Sequence, residues 1–290
     1  MNRLGPPPRI LGAALAFALA ASARAEPVAV VAAESVYGDL ARQIGGANVT
    51  VTSVIASADQ DPHEFEPTPA VARAVAGARI VVYNGAGYDA WMERLLSAAA
   101  SRGRETIDVA KLAGRKPGEN PHVWYDVAAI SALAIALTAK LSAIDTAHEH
   151  AYADGLAAFD ASLSPLRSKI AAMRARYAGT PVTATEPVFQ YMADALGLAM
   201  RNAAFQQAVM NETEPGARTI AAFEDDLRRH AVRALLYNTQ TGAAVAQRMR
   251  DVANRAGVSV VAITETQPPG KTYPQWMLGE LDALERALAR

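Results

Sequence analysis

Residues 28–55 read VAVVAAESVYGDLARQIGGANVTVTSVI, and the parsing of this stretch decides the architecture of the chain. Two runs rich in β-branched residues, 28–33 and 49–55, flank a segment of helical character at 37–44. The pair Gly45-Gly46 closes that helix, because glycine takes the left-handed conformation after a helix C-terminus at little steric cost. Strand, helix and strand joined this tightly make a βαβ unit, and βαβ units build parallel sheets.

The alternation continues outward. Further strands are expected at 78–83 and 106–109, with helices at 69–75 and 88–99, and 111–121 (KLAGRKPGENP) is a loop by composition. A second series follows, with strands at 181–185, 199–205, 232–237 and 258–264 and helices at 188–196, 216–230, 241–256 and 273–289. Between the two series, 126–177 is helical in pattern, with a break expected at Ile144-Asp145-Thr146 and a kink or restart at Pro165. A helix of about thirty residues is roughly 45 Å long, which suits a strut. The expected fold is α/β, with two lobes of parallel-type sheet joined by one long rigid helix: 26–143, 144–179 and 180–290.

The chain has 290 residues, 51% of them hydrophobic, enough for two real cores. It opens with Arg3 and Arg9, an apolar run over 10–21, and Ala23-Arg24-Ala25. That is the pattern of a secretory signal, 1–25, cleaved after Ala25. No later stretch has the roughly 18 consecutive apolar residues of a spanning helix. Cleavage removes three of 28 basic residues and none of the 29 acidic ones, leaving a net charge of −4. No basic patch stands out, so nucleic acid is not an expected partner. There is no cysteine, which excludes disulfides, thiolate ligands and a lipid-modified cysteine. A free periplasmic protein is expected.

Ligands of open parallel sheets bind beyond the carboxyl ends of the strands, so polar residues just after predicted strands are the candidates. His63 stands in DPHEFEPTP (61–69), a loop stiffened by Pro62, Pro67 and Pro69. His122 stands in ENPHVWYD before the long helical stretch, Glu186 in TATEPVF, and Glu265 in VVAITETQPPG after the last strand. Each has a plainer reading alone: a solvated or packed histidine, an acid at a helix start, a loop acid. Together they place two donors in each lobe, facing one crevice, and two imidazoles with two carboxylates suit a divalent first-row metal. Asp61 is placed to accept from the other nitrogen of His63. Glu34 reads as capping or solvated in preference to looking into the crevice, His148 and His150 as exposed, and His230 as a helix-end cation.

DPHEFEPTPA, NPHVWYD, EPVFQYMADALGL and the final strand ending in an acid resemble, over nearly the whole chain, the metal-binding solute-binding proteins of bacterial zinc and manganese ABC importers. The resemblance implies two α/β lobes bridged by a rigid helix with a metal between them. It carries the family's histidine ligands onto His63 and His122, its third ligand onto Glu186 by way of Phe189 and Tyr191, and its fourth onto Glu265. Many members have aspartate at that fourth position, one methylene shorter. The long His- and Asp-rich loop of many zinc-uptake members has no counterpart in 111–120. Glutamate at the third position favours manganese over zinc, with ferrous iron a further candidate. The implied partner is an inner-membrane ABC permease with its ATPase, served by a monomer that is not an enzyme. Two other readings remain at this stage: a metal-dependent hydrolase using the same four residues, and a binding protein for an organic solute or metal chelate lined by Tyr37, Tyr88, Trp124 and Trp276.

Overall fold

The computed structural model describes residue 1 and residues 26–57, 65–99 and 101–290. The signal reading at 2–25 and the roles read for Asp61 and His63 lie outside the described residues.

The opening stretch folds as a βαβ unit: β1 (Val28–Glu34), α1 (Ser35–Gly45) and β2 (Val49–Ile55). It is followed by α2 (Pro69–Gly77), β3 (Ile80–Tyr83), α3 (Ala90–Ala98), β4 (Glu105–Asp108) and α4 (Val109–Leu112). The four strands form one parallel sheet in the order β2-β1-β3-β4, with Val28 opposite Val49 and Val30 opposite Ile80. Three helices come next: α5 (Val127–Ile144), α6 (Glu149–Ser162) and α7 (Ser164–Tyr177). The second series is β5 (Pro181–Ala184), α8 (Gln190–Leu196), β6 (Ala199–Arg201), α9 (Ala203–Met210), α10 (Ala217–Arg228), β7 (Ala234–Asn238), α11 (Ala244–Ala256), β8 (Ser259–Ile263) and α12 (Tyr273–Leu288). Its strands are again all parallel, in the order β6-β5-β7-β8. The two sheets therefore share one topology. In each, the direction of winding reverses between the two central strands, β1 and β3 or β5 and β7, and that reversal opens a crevice at the strand ends.

Several expectations are corrected. The segment 199–205 is a strand only to Arg201. Asn202 takes a left-handed φ of 61° and the chain then turns into α9, whose Phe205 and Val209 are buried. A short apolar run does not separate strand from buried helix by periodicity. Likewise, Asp108 ends β4 and accepts from the Lys111 amide, so the loop expected to follow begins with α4. The strut is interrupted where the sequence reading placed its break and its restart, at Asp145 and at Pro165. Asp145 ends α5 and anchors the start of α6, accepting from Tyr152 Oη at 2.7 Å and lying 2.8 Å from His148 Nδ1. Leu163 alone separates α6 from α7, where Pro165, with no N–H to give, interrupts the ladder before Arg167 resumes it to the Leu163 carbonyl. Gly155 lets α6 lie against the end of α1, since a Cβ there would sit 2.2 Å from the Ile44 carbonyl oxygen. By length and composition α5 is apolar enough to cross a membrane. In this fold it buries Ile130, Leu133, Leu137 and Leu141 in the core.

One apolar cluster runs through both lobes, from Val30, Tyr37 and Ile80 to Val182, Phe189 and Leu281. At the seam, Tyr125 packs against Phe189 and Trp276 with ring centroids 5.2 and 5.7 Å apart, and Tyr273 Oη donates to the Trp124 carbonyl at 2.9 Å. Tyr125 Oη lies 2.7 Å from both the Thr264 carbonyl and Glu280 Oε2. One hydroxyl proton cannot serve both acceptors. The conflict ends if Glu280 carries a proton and donates it to Tyr125, freeing the tyrosine proton for Thr264. Burial pushes the Glu280 carboxyl up to about 7, against hydrogen bonds from Tyr125, Trp276 and Thr264 that pull the other way.

Candidate metal centre

Glu186 emerges directly after β5 with an extended backbone and Pro187 behind it, and Asn238 ends β7. Both therefore stand at the second sheet's winding reversal. Glu265 follows β8 and is held by Gln240, whose Oε1 accepts from the Glu265 and Thr266 amides at 2.8 and 2.9 Å. His122 reaches the same point from the other lobe, just ahead of the single turn Val123–Tyr125. All three proposed donors are buried, His122 completely and Glu186 and Glu265 at 5% exposure.

The hydrogen bonds fix the orientation of the imidazole. Asn120 Nδ2 donates to the Pro187 carbonyl at 2.7 Å, so its Oδ1 must be the end that faces His122. That oxygen accepts from the His122 amide at 3.1 Å and lies 2.6 Å from Nδ1. Nδ1 thus carries a proton, assigned from the network, which leaves Nε2 as the nitrogen through which a cation would be held. Nε2 has no hydrogen-bond partner and sits 3.5 Å from Glu265 Oε2. A lone pair facing a carboxylate oxygen in a buried pocket is repulsive unless a proton or a cation lies between them.

Asn238 ties the two carboxylates together, with Nδ2 donating to Glu265 Oε1 at 2.7 Å and to Glu186 Oε2 at 3.2 Å. Tyr88 Oη, from the first lobe, donates to Glu265 Oε2 at 2.8 Å. Glu186 Oε1 is buried without a hydrogen-bond partner. Burial, and then the charge of Glu265, raise the Glu186 carboxyl above its ordinary value, while hydrogen bonding to Thr241 and Asn238 and the nearby His122 pull it down. Trp124 stands edge-on to His122 and Tyr88, with centroids 5.2 and 5.0 Å apart, and walls the site with aromatic surface.

The structure thus brings together His122, Glu186 and Glu265, while His63 lies outside the described residues. Among the described residues no three His, Asp or Glu side chains converge closely enough to enclose an ion. Sequence reading missed Tyr88, Asn120, Asn238 and Gln240, which orient the donors. One signal was available: Asn84 and Asn238 stand at the ends of equivalent strands in the two sheets. Glu34 is neither solvated nor a side-chain cap, since it is 6% exposed and stands at the N-cap of α1 without a capping hydrogen bond from its side chain. It lies beside Asp89, which accepts from the Asn84 and Gly85 amides at 2.6 and 2.8 Å. As two carboxylates neither acid can donate to the other, and burial and then Asp89's charge hold Glu34 well above the carboxylate range. Of the remaining histidines, His148 is engaged by Asp145, and His230 adopts a left-handed φ of 53° after α10.

Two parallel α/β lobes of identical strand order, joined by a helical strut and meeting across a crevice lined by imidazole and carboxylate, define a two-lobed solute-binding protein. More narrowly, the chain belongs to the periplasmic zinc-uptake complex component A (ZnuA) family, whose profile matches residues 30–287. It is 24% identical to the manganese ABC transporter substrate-binding lipoprotein PsaA of Streptococcus mitis, over 93% of this chain and 92% of that protein. It is 25% identical to the iron ABC transporter substrate-binding lipoprotein MtsA of Streptococcus pyogenes serotype M1, over 93% and 91%. In fold it is similar to the periplasmic zinc-binding protein TroA of Treponema pallidum, with a TM-score of 0.74 at 18% identity, over 91% of this chain and 100% of that one.

Proposed function

We propose that the protein captures a divalent transition-metal ion in the periplasm and delivers it to an ABC importer, an inner-membrane permease with its ATPase. The observation that carries this is the arrangement at the crevice: a locked imidazole whose Nε2 faces Glu265, with Glu186 tied to the same carboxylate through Asn238. Two buried acceptor atoms, His122 Nε2 and Glu186 Oε1, make no hydrogen bond, and a cation would satisfy both. His63, His122, Glu186 and Glu265 are the ligands in this reading.

With two carboxylates, the site is richer in oxygen than an all-histidine one, which favours manganese over zinc, with ferrous iron next. Names of the relatives span manganese, iron and zinc. The protein acts by binding, not by catalysis. The aromatic residues that an organic solute would stack on, Tyr37, Tyr88, Trp124 and Trp276, are instead core residues. Residues 1–25 are the cleaved signal, 26–143 and 180–290 the lobes, and 144–179 the strut. Several relatives are named lipoproteins, whereas this chain has no cysteine to carry a lipid, which supports a protein free in the periplasm; we take it to act as a monomer.

Calorimetry on the metal-stripped protein tests the reading. One tight site for manganese or zinc is expected, weakened at least about tenfold in His122→Ala and Glu186→Gln. Absence of tight binding of either ion by the wild type refutes it.

A further inference from the structure

The crevice has a second opening. Glu186 and Glu265 form the inner end of a cavity of about 570 Å³ that lies wholly in the second lobe, between the α9–α10 loop and the β7–α11 loop. Its rim carries two more carboxylates, Glu212 and Glu214, both exposed. Between rim and inner end the wall includes Val209, Ile220 and Val245. One basic residue stands among the lining residues, Arg248, which is held by Glu224 Oε1 through Nε at 2.8 Å and Nη2 at 2.6 Å, a carboxylate it shares with Arg228.

The rim is held in place by its backbone. Glu212 sits at a left-handed φ of 53°, with its amide donating to the Val209 carbonyl at 2.9 Å. Thr213 donates to the Ala208 carbonyl through both its amide and its hydroxyl, at 2.9 and 3.0 Å. At the inner end, Glu186 Oε1 is buried with no hydrogen-bond partner, in a residue 5% exposed. A passage in which four carboxylates outnumber one shared arginine, with apolar walls that concentrate their field, attracts cations and raises their rate of entry. It also repels anionic chelates.

We propose that this cavity is an outer station for the hydrated divalent cation, where Glu212 and Glu214 draw the ion in with its water shell before Glu186 receives it. This rests on the metal-capture reading above and adds to it a route and two residues that do not belong to the final coordination.

Stopped-flow binding of manganese or zinc to the metal-stripped full chain tests it, with Trp124 beside His122 as the fluorescent reporter. In E212Q/E214Q the association rate is expected to fall about tenfold at low ionic strength, with the dissociation rate unchanged within about twofold. The deficit should shrink in about 0.5 M salt, where screening shortens the reach of the rim charges. The control E149Q/D154N removes the same charge from exposed positions on α6 and should change the rate less than about twofold by the same screening. The proposal is overturned if E212Q/E214Q matches that control, if the loss lies in dissociation, or if salt leaves the difference untouched. A wild type that binds neither ion overturns the capture reading together with this one, whereas a wild type that binds normally with an unaffected rim variant overturns this one alone.

Discussion

Replacing Glu280 by glutamine should make the metal-free protein more stable, and increasingly so as the pH rises. The buried carboxyl titrates at about 7 in the folded protein and near 4.3 when the chain is unfolded. The folded state therefore holds this proton more tightly than the unfolded state. Stability from this group is complete below about pH 4, is lost as the pH climbs through the window between the two values, and reaches its full deficit above about 7. The interval corresponds to about 3–4 kcal/mol at pH 8.5. Glutamine reproduces the protonated acid: its Oε1 accepts from Trp276 and Thr264, and its amide donates to Tyr125 as the acid proton would. In the wild type at high pH the tyrosine proton must choose between Thr264 and a charged carboxylate. Thermal and urea unfolding of both proteins from pH 5 to pH 8.5 gives the difference directly, free of other titrating groups. A gap of about 1 kcal/mol at pH 5 that widens to about 3–4 kcal/mol at pH 8.5 is expected, or about 5 °C or more of added difference in Tm for a chain of this size. A gap that is the same at both ends of the range, or a glutamine variant less stable throughout, refutes the assignment of the proton.

Asn120→Ala should weaken metal binding about tenfold with little change in Tm, because it releases the Nδ1 proton that keeps His122 Nε2 available; isothermal titration measures it. Affinity should fall steadily from pH 7.5 to 5.5. Glu186 is raised by burial and by Glu265, so a cation must displace protons there, and titration in buffers of different ionisation enthalpy should show proton release. Gly155→Ala should destabilise by about 2 kcal/mol or more, since the new methyl meets the Ile44 carbonyl at the α1–α6 contact; chemical unfolding reports it.

Strand and helix periodicity carried most of the fold, because each lobe alternates buried β-branched strands with amphipathic helices. It failed where local geometry overrode pattern, at the left-handed Asn202 that turns a strand into α9. His122, Glu186 and Glu265 were legible because loops following parallel strands must face the crevice. Their supports were not, since nothing local separates Asn120 or Asn238 from an ordinary loop amide until two distant segments meet. Glu34 shows the converse. A lone acid after a strand reads as solvated, and only the packing of β1 against α3 reveals that it is buried beside Asp89.

The aromatic seam around Tyr125 has a consequence for how cargo leaves. Spreading the lobes like a book would bring Trp124, Tyr125, Tyr273 and Trp276 into water. Each such ring buries on the order of 200 Å², so the four together would resist by on the order of 20 kcal/mol. Any opening that spreads the lobes thus works against this spine, whereas the loops at the strand tips can move while the seam between the two sheets stays buried.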